Sequence, residues 1–113
     1  MKKIGILGST GSIGKQALQV IDNLKSNFTI EYLSAQNNAK MLAEQALKYE
    51  PKVICIGNQN KVDDLRTMLK NTTIKIVSGK NGLLDISSRD NIDLAINGLV
   101  GAAGMEPSIS IIK

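Results

Sequence analysis

The chain contains no histidine and no tryptophan, and it has a single cysteine. Without histidine there is no imidazole base. The one cysteine, Cys55, excludes a disulfide framework or a cysteine-built zinc site. It sits in Val53-Ile54-Cys55-Ile56, where a lone thiol flanked by β-branched residues reads as a small core residue in a reducing compartment. Aromatic residues are only 3% of the chain, so the aromatics interleaved with arginine that stack single-stranded nucleic acid are missing. The net charge of +4, with its lysines spread along the chain, reads as a mildly basic surface that tolerates an anionic ligand. Long apolar runs are lacking too. The run Ile4–Leu7 that follows Met1-Lys2-Lys3 is too short for the apolar region of a signal peptide. No run approaches a membrane span. The expectation is a cytoplasmic protein with neither nucleic acid nor a membrane as partner.

What is present is the composition of a globular domain. The 113 residues, 42% hydrophobic and 21% charged, suffice for one domain with a single core but are short for a two-lobed enzyme. Short β-rich runs near 3–7, 28–34, 52–57, 73–78 and 92–97 alternate with helical patterns. Ile13, Ala17, Val20, Ile21 and Leu24 recur at helical spacing over about 12–26. Leu42, Ala46 and Tyr49 share a face over 38–50, with Asn37 or Asn38 as cap and Pro51 forcing the end at Glu50. Val62, Leu65 and Leu69 mark a third helix over 61–70, for which Asn60 is the predicted N-cap, with Asp63 three residues later. Gly79 and Gly82 bracket a short helix within 79–91. The alternation predicts βαβ units: an α/β, doubly wound parallel sheet with helices on both faces. Pro107 suits the first turn of a further helix, with Ile109 and Ile112 starting its apolar face. No stop signal closes that helix before Lys113, which predicts a domain cut short at its C-terminus.

The chemistry begins in the first fourteen residues. Ile4-Gly5-Ile6-Leu7 leads into Gly8-Ser9-Thr10-Gly11-Ser12-Ile13-Gly14, a strand ending in a glycine-spaced loop that opens a helix. Such a junction points backbone N–H groups at an anion, and the helix dipole adds positive potential. Ser9, Thr10 and Ser12 supply hydroxyls that could donate to phosphate oxygens or cap the helix. A mononucleotide P-loop is excluded, because Ser9 and Gln16 stand where that pattern needs glycine and a hydroxyl. A dinucleotide loop remains, with a plain tight turn as its bland rival. From Leu33 to Lys40 the chain reads Leu-Ser-Ala-Gln-Asn-Asn-Ala-Lys, without the carboxylate that bonds the ribose 2′-hydroxyl of NAD. Neutral amides and a lysine there favour NADP, although Asn37 and Asn38 could serve only as turn and cap residues. The carboxylates fall mostly on predicted helix faces, where they read as solvated charge. Asp63-Asp64 makes a poor metal pair, and Asp93 reads as a turn residue.

The run Ile6–Gly14, Asn38, and Val100-Gly101-Ala102-Ala103-Gly104 with Pro107 resemble the 1-deoxy-D-xylulose 5-phosphate reductoisomerase family. The resemblance runs in register from residue 1 to the end and covers the family's N-terminal, Rossmann-like NADPH-binding domain, here residues 1–113. It implies that Thr10, Gly11, Ser12 and Ile13, with Gly8 in the same loop, contact the cofactor diphosphate. It places Asn38 by the 2′-phosphate end of the adenosine, preceded by Gln36 and Asn37 where the family usually has glycine and often a basic or small residue. The family enzyme converts 1-deoxy-D-xylulose 5-phosphate to 2-C-methyl-D-erythritol 4-phosphate with NADPH and Mg²⁺, Mn²⁺ or Co²⁺, in non-mevalonate isoprenoid synthesis. The resemblance puts its metal carboxylates and substrate site beyond Lys113, and implies a homodimer for the full-length enzyme. No catalytic residue and no metal ligand is therefore assigned within these residues, and the piece alone is expected to be inactive. Two other readings stay open: a stand-alone dinucleotide-binding regulatory module, and the cofactor domain of another NADP oxidoreductase.

Overall fold

A computed structural model of the chain describes residues 2–24, 28–89, 92–98 and 108–111. Chain order is β1 (Lys2–Leu7), α1 (Ser12–Leu24), β2 (Phe28–Ala35), α2 (Ala39–Tyr49), β3 (Val53–Ile56), a turn of 3₁₀ helix (Gln59–Lys61), α3 (Val62–Met68), β4 (Lys75–Ser78), α4 (Gly79–Ser87), β5 (Leu94–Asn97) and β6 (Ser108–Ile111). The strands form one sheet in the order β4-β3-β2-β1-β5-β6. The pairs from β4 through β5 are all parallel, and β6 runs antiparallel to β5 at the edge.

Side-chain alternation along the strands builds two cores. Ile4 and Ile6 of β1, Ile54 and Ile56 of β3 and Ile96 of β5 meet Leu18 of α1, Leu42 and Ala46 of α2 and Leu65 of α3 on one face. Val53 and Cys55 point the other way, with Tyr32, against Ile86 of α4. Helices therefore cover both faces, as the alternating pattern predicts. The winding runs from β1 out to β4 and returns beyond β1 to β5. The crevice above the carboxyl ends of β1 and β5 is thus the topological switch point, where open α/β sheets bind ligands.

Local signals set several boundaries. Asn38 caps α2 by accepting a hydrogen bond from Met41 N at 3.1 Å. Glu50, just before Pro51, closes that helix in the left-handed region at φ 51°. Two expectations fail. Asn60 does not cap α3; Asn58 accepts from Asn60 N at 3.0 Å instead. Asn60 lies inside the turn of 3₁₀ helix, which Asn58 caps from just after the strand. The helix predicted after Pro107 is also not found. Pro107 itself lies outside the described residues, but 108–111 form a strand paired with the far side of β5. Ser-Ile-Ser-Ile alternates with period two, and the unpaired N–H and C=O groups of an edge strand are the partner such a segment needs.

One carboxylate lies on a strand and not on a helix face. Glu31 is fully buried, at the bulge where Ile4 pairs with Ile30 but Gly5 pairs with Tyr32. Arg89 lies 3.5 Å from its Oε1 and Lys52 4.0 Å from its Oε2. A buried carboxylate is tolerable only when cations and hydrogen bonds replace its water.

Candidate functional site

The glycine loop emerges from β1 at the switch point, and three strands hold it from beneath. Gly8 has φ 72°, a left-handed conformation that is cheap only without a Cβ. Its N–H donates to Ser34 Oγ at 3.0 Å. Ser9 N donates to Ser34 O at 2.8 Å, and Gly98 N, after β5, donates to Leu7 O at 2.7 Å. Gly14 packs its α-carbon against the loop so closely that an added Cβ would overlap Gly8 O and the Ser9 backbone.

The candidate residues then divide. Ser9 is fully buried. Its hydroxyl donates to Gln45 Oε1 at 2.6 Å, while Gln45 Nε2 donates back to Ser9 O at 2.9 Å. That hydroxyl ties the loop to α2, so the reading of Ser9 as a phosphate donor is withdrawn. Thr10, Gly11, Ser12 and Ile13 lie on the outer side of the loop, with Gly11 and Ser12 exposed. Gly11 N closes a turn on Gly8 O at 3.1 Å, and Lys15 N, donating to Gly11 O at 2.9 Å, starts the helical ladder. The amides of Ser12, Ile13 and Gly14 precede that ladder, as the first N–H groups of a helix must. The first turn of α1 carries no acidic residue. A cluster of oriented donors with no competing carboxylate can bind an anion.

Gly11 differs from Gly14 in a useful way. A Cβ at Gly11 would meet nothing nearer than Gly8 O at 3.5 Å. The protein does not itself require glycine there, so space over Gly11 is free for a ligand approaching its backbone.

Gln36, Asn37 and Asn38 are all exposed just past the end of β2. The Gln36 amide lies over Gly57, in the space a Cβ would fill, and Asn37 Oδ1 accepts from Asn58 Nδ2 at 3.1 Å. Asn38 is the cap of α2 and stays beside the loop. These three form one neutral rim next to the glycine loop. The stretch Val100–Gly104 lies outside the described residues.

Two titratable groups singled out in the sequence sit in structural contacts. Asp93 Oδ2 accepts from Lys3 N at 2.7 Å, which fits its reading as a turn residue. Cys55 is buried; burial, with Asp85 adding to it, pushes its thiol up to about 11. Among the described residues no group of three or more His, Cys, Asp or Glu could hold a metal ion. No described helix is long and apolar enough to cross a membrane.

Comparisons with known proteins converge. Residues 4–113 match the family model of 1-deoxy-D-xylulose 5-phosphate reductoisomerase. The chain is 45% identical over 113 residues to the 1-deoxy-D-xylulose 5-phosphate reductoisomerase of Chloroherpeton thalassium, covering all of this chain and 29% of that protein. It is 42% identical over 113 residues to that of Thermoanaerobacter sp., again covering 29% of it. The chain thus spans under a third of the length of these relatives. Among solved structures, the reductoisomerase from Zymomonas mobilis in complex with NADPH superposes with a TM-score of 0.84 at 26% identity, over 91% of this chain and 27% of that one. A reductoisomerase bound to NADPH, fosmidomycin and magnesium superposes with a TM-score of 0.84 at 29% identity, over 92% of this chain and 26% of that one.

Proposed function

The chain belongs to the 1-deoxy-D-xylulose 5-phosphate reductoisomerase family, and from that premise we propose that residues 8–14 hold the diphosphate of NADPH. In this reading the chain is the cofactor-binding part of an enzyme that isomerises and reduces 1-deoxy-D-xylulose 5-phosphate to 2-C-methyl-D-erythritol 4-phosphate. The observation that carries it is the cradle itself: ladder-free amides at the start of α1, no acidic residue in its first turn, and unfilled space over Gly11. Relatives solved with NADPH share this fold.

NADPH, when bound, supplies the hydride. The chain's own residues bind and orient it: the amides of Thr10, Ser12 and Ile13 face the diphosphate, and Gln36, Asn37 and Asn38 edge the adenosine end. Gly8 and Gly14 keep the loop pressed onto the sheet so that the amides converge. The described residues do not fit a divalent metal, and no step through one is assigned to them. The catalytic and metal-binding groups belong to other parts of the enzyme, as does the pairing into a homodimer, and the enzyme works in the cytoplasm.

Thermal unfolding with added cofactor tests the reading. At about 100 times its dissociation constant, NADPH stabilises the chain by roughly 2.7 kcal/mol. That is a rise in Tm of roughly 10 °C for a domain this size. Gly11→Ala supplies the control: the protein accommodates the methyl, so Tm without ligand stays within a few degrees while the NADPH-dependent rise is lost. A Gly11→Ala chain that still responds fully to NADPH refutes diphosphate binding at this loop.

A further inference from the structure

The rim beside the glycine loop carries no cation. Gln36, Asn37 and Asn38 are neutral, and Asn38 Oδ1 accepts from Met41 N. The surface next to them is charged, however. A cleft of about 460 Å³ opens there between the start of α2 and α3, lined by Asn37, Asn38, Lys40, Lys61 and Asp64 with Thr67 and Met68. Lys61 comes from the connection after β3, and that connection is fastened to the rim. Gly57 N donates to Ala35 O and Asn58 N to Gln36 O, both at 2.8 Å. Asn58 Nδ2 adds its bond to Asn37 at 3.1 Å. Three hydrogen bonds therefore fix where Lys61 starts relative to Asn37.

Neither Lys40 nor Lys61 takes part in an ion pair among the described residues, whereas Lys48 and Lys52 each hold a carboxylate. Lys61 is half-buried and Lys40 exposed. The Lys61 stem is the more confined, so it loses less freedom on pairing with an anion. Asp64, on the same cleft, opposes an anion and leaves the lining one positive charge in excess.

We propose that Lys61 is the residue that distinguishes NADPH from NADH, by pairing with the 2′-phosphate across the Asn37–Asn38 rim, with Lys40 adding a weaker, longer-range attraction. This assignment rests on the reading of the glycine loop as an NADPH site. A 2′-phosphate carries nearly two negative charges and strong acceptor oxygens, so an uncommitted ammonium beside it makes a charge-assisted bond that a ribose hydroxyl cannot replace. The cation thus enters from the neighbouring βα unit instead of from the end of β2.

Dissociation constants for NADPH and NADH, measured by titration on the full chain and on Lys61→Ala, Lys61→Arg and Asp64→Asn, test this. Lys61→Ala weakens NADPH by about tenfold, equivalent to about 1.4 kcal/mol, and leaves NADH within about twofold. Lys61→Arg keeps the preference, and Asp64→Asn tightens NADPH without changing NADH. Equal weakening of both cofactors makes Lys61 merely structural and overturns the assignment, as does no change in either. A wild-type chain that binds both equally also overturns it while leaving the loop reading intact. Binding of neither cofactor by the wild-type chain overturns the loop reading and the Lys61 assignment together.

Discussion

Substituting Gly14 with alanine sets two effects of opposite sign against each other. Gly14 is the third residue of α1 (Ser12–Leu24), and glycine inside a helix costs roughly 1 kcal/mol relative to alanine. Propensity alone therefore predicts that Gly14→Ala stabilises. The packing predicts the reverse. The new Cβ would overlap Gly8 O and stand 2.8 Å from Ser9 C, and these are backbone atoms, not the ends of flexible side chains. They cannot retreat cheaply, because Ser9 N is bonded to Ser34 O and Gly98 N to Leu7 O, at 2.8 and 2.7 Å. Overpacking of this kind costs about 1–3 kcal/mol, and an immobile backbone puts the cost at the upper end. The net expectation is a loss of about 2 kcal/mol, which is a fall in Tm of roughly 10 °C. Relief would come by pushing the start of α1 off β1, which also spreads the amides of the cradle, so the NADPH-dependent rise in Tm disappears. Urea unfolding followed by far-ultraviolet circular dichroism measures the first effect, and thermal unfolding with NADPH the second. A Gly14→Ala chain as stable as wild type, or more so, would refute the packing argument.

Two further predictions concern the body of the fold. Arg89→Ala removes the nearer of the two cations beside the buried Glu31 carboxylate; Lys52 is 4.0 Å away and largely exposed. Breaking a buried pair costs about 3–5 kcal/mol, but Arg89 is itself partly exposed, so a loss of about 2 kcal/mol in urea unfolding is expected; an unchanged midpoint would count against a structural role for the pair. Burial raises the Cys55 thiol to about 11 from 9.0, so the folded state holds its proton where the unfolded chain loses it. This contribution is intact below pH 9 and declines as pH climbs from there toward 11. Iodoacetamide at pH 8 should accordingly leave the native chain unlabelled and modify it on unfolding, and fast native-state labelling would contradict it.

Much of the architecture was legible because it is written locally. The apolar run of 53–56, the helical spacing of Leu42 and Ala46, the Asn38 cap and the stop before Pro51 each depend on neighbours within a few residues. What was illegible is non-local. Ser9 looks like a phosphate donor in sequence, yet Gln45, on another helix, takes its hydroxyl at 2.6 Å. Nothing local marks Glu31 as buried; the β2 bulge turns it inward and Arg89 arrives beside it. Segment 108–111 carries isoleucines that suit a helix face or a strand, and only the open edge of β5 decides between them. The rim residues show the same division. Their neutrality can be read from Gln36-Asn37-Asn38, but the lysine next to them belongs to a segment more than twenty residues later.

Local and non-local contacts play different parts in cofactor preference. The glycine loop is tied to β1, β2, α2 and the end of β5 through Gly8, Ser9, Gln45 and Gly98. Its amides are preorganised and cannot adapt to one cofactor over another, since the diphosphate is common to both. Preorganisation raises affinity for the shared group by removing the cost of ordering. Discrimination must then come from groups the loop does not position, at the one place where the cofactors differ. Asn37 meets the β3 connection through Asn58, so that connection can bring charge beside the rim without disturbing the loop. Preference can therefore shift through single changes at 37, 61 or 64, while substitutions at 8 or 14 weaken both cofactors alike.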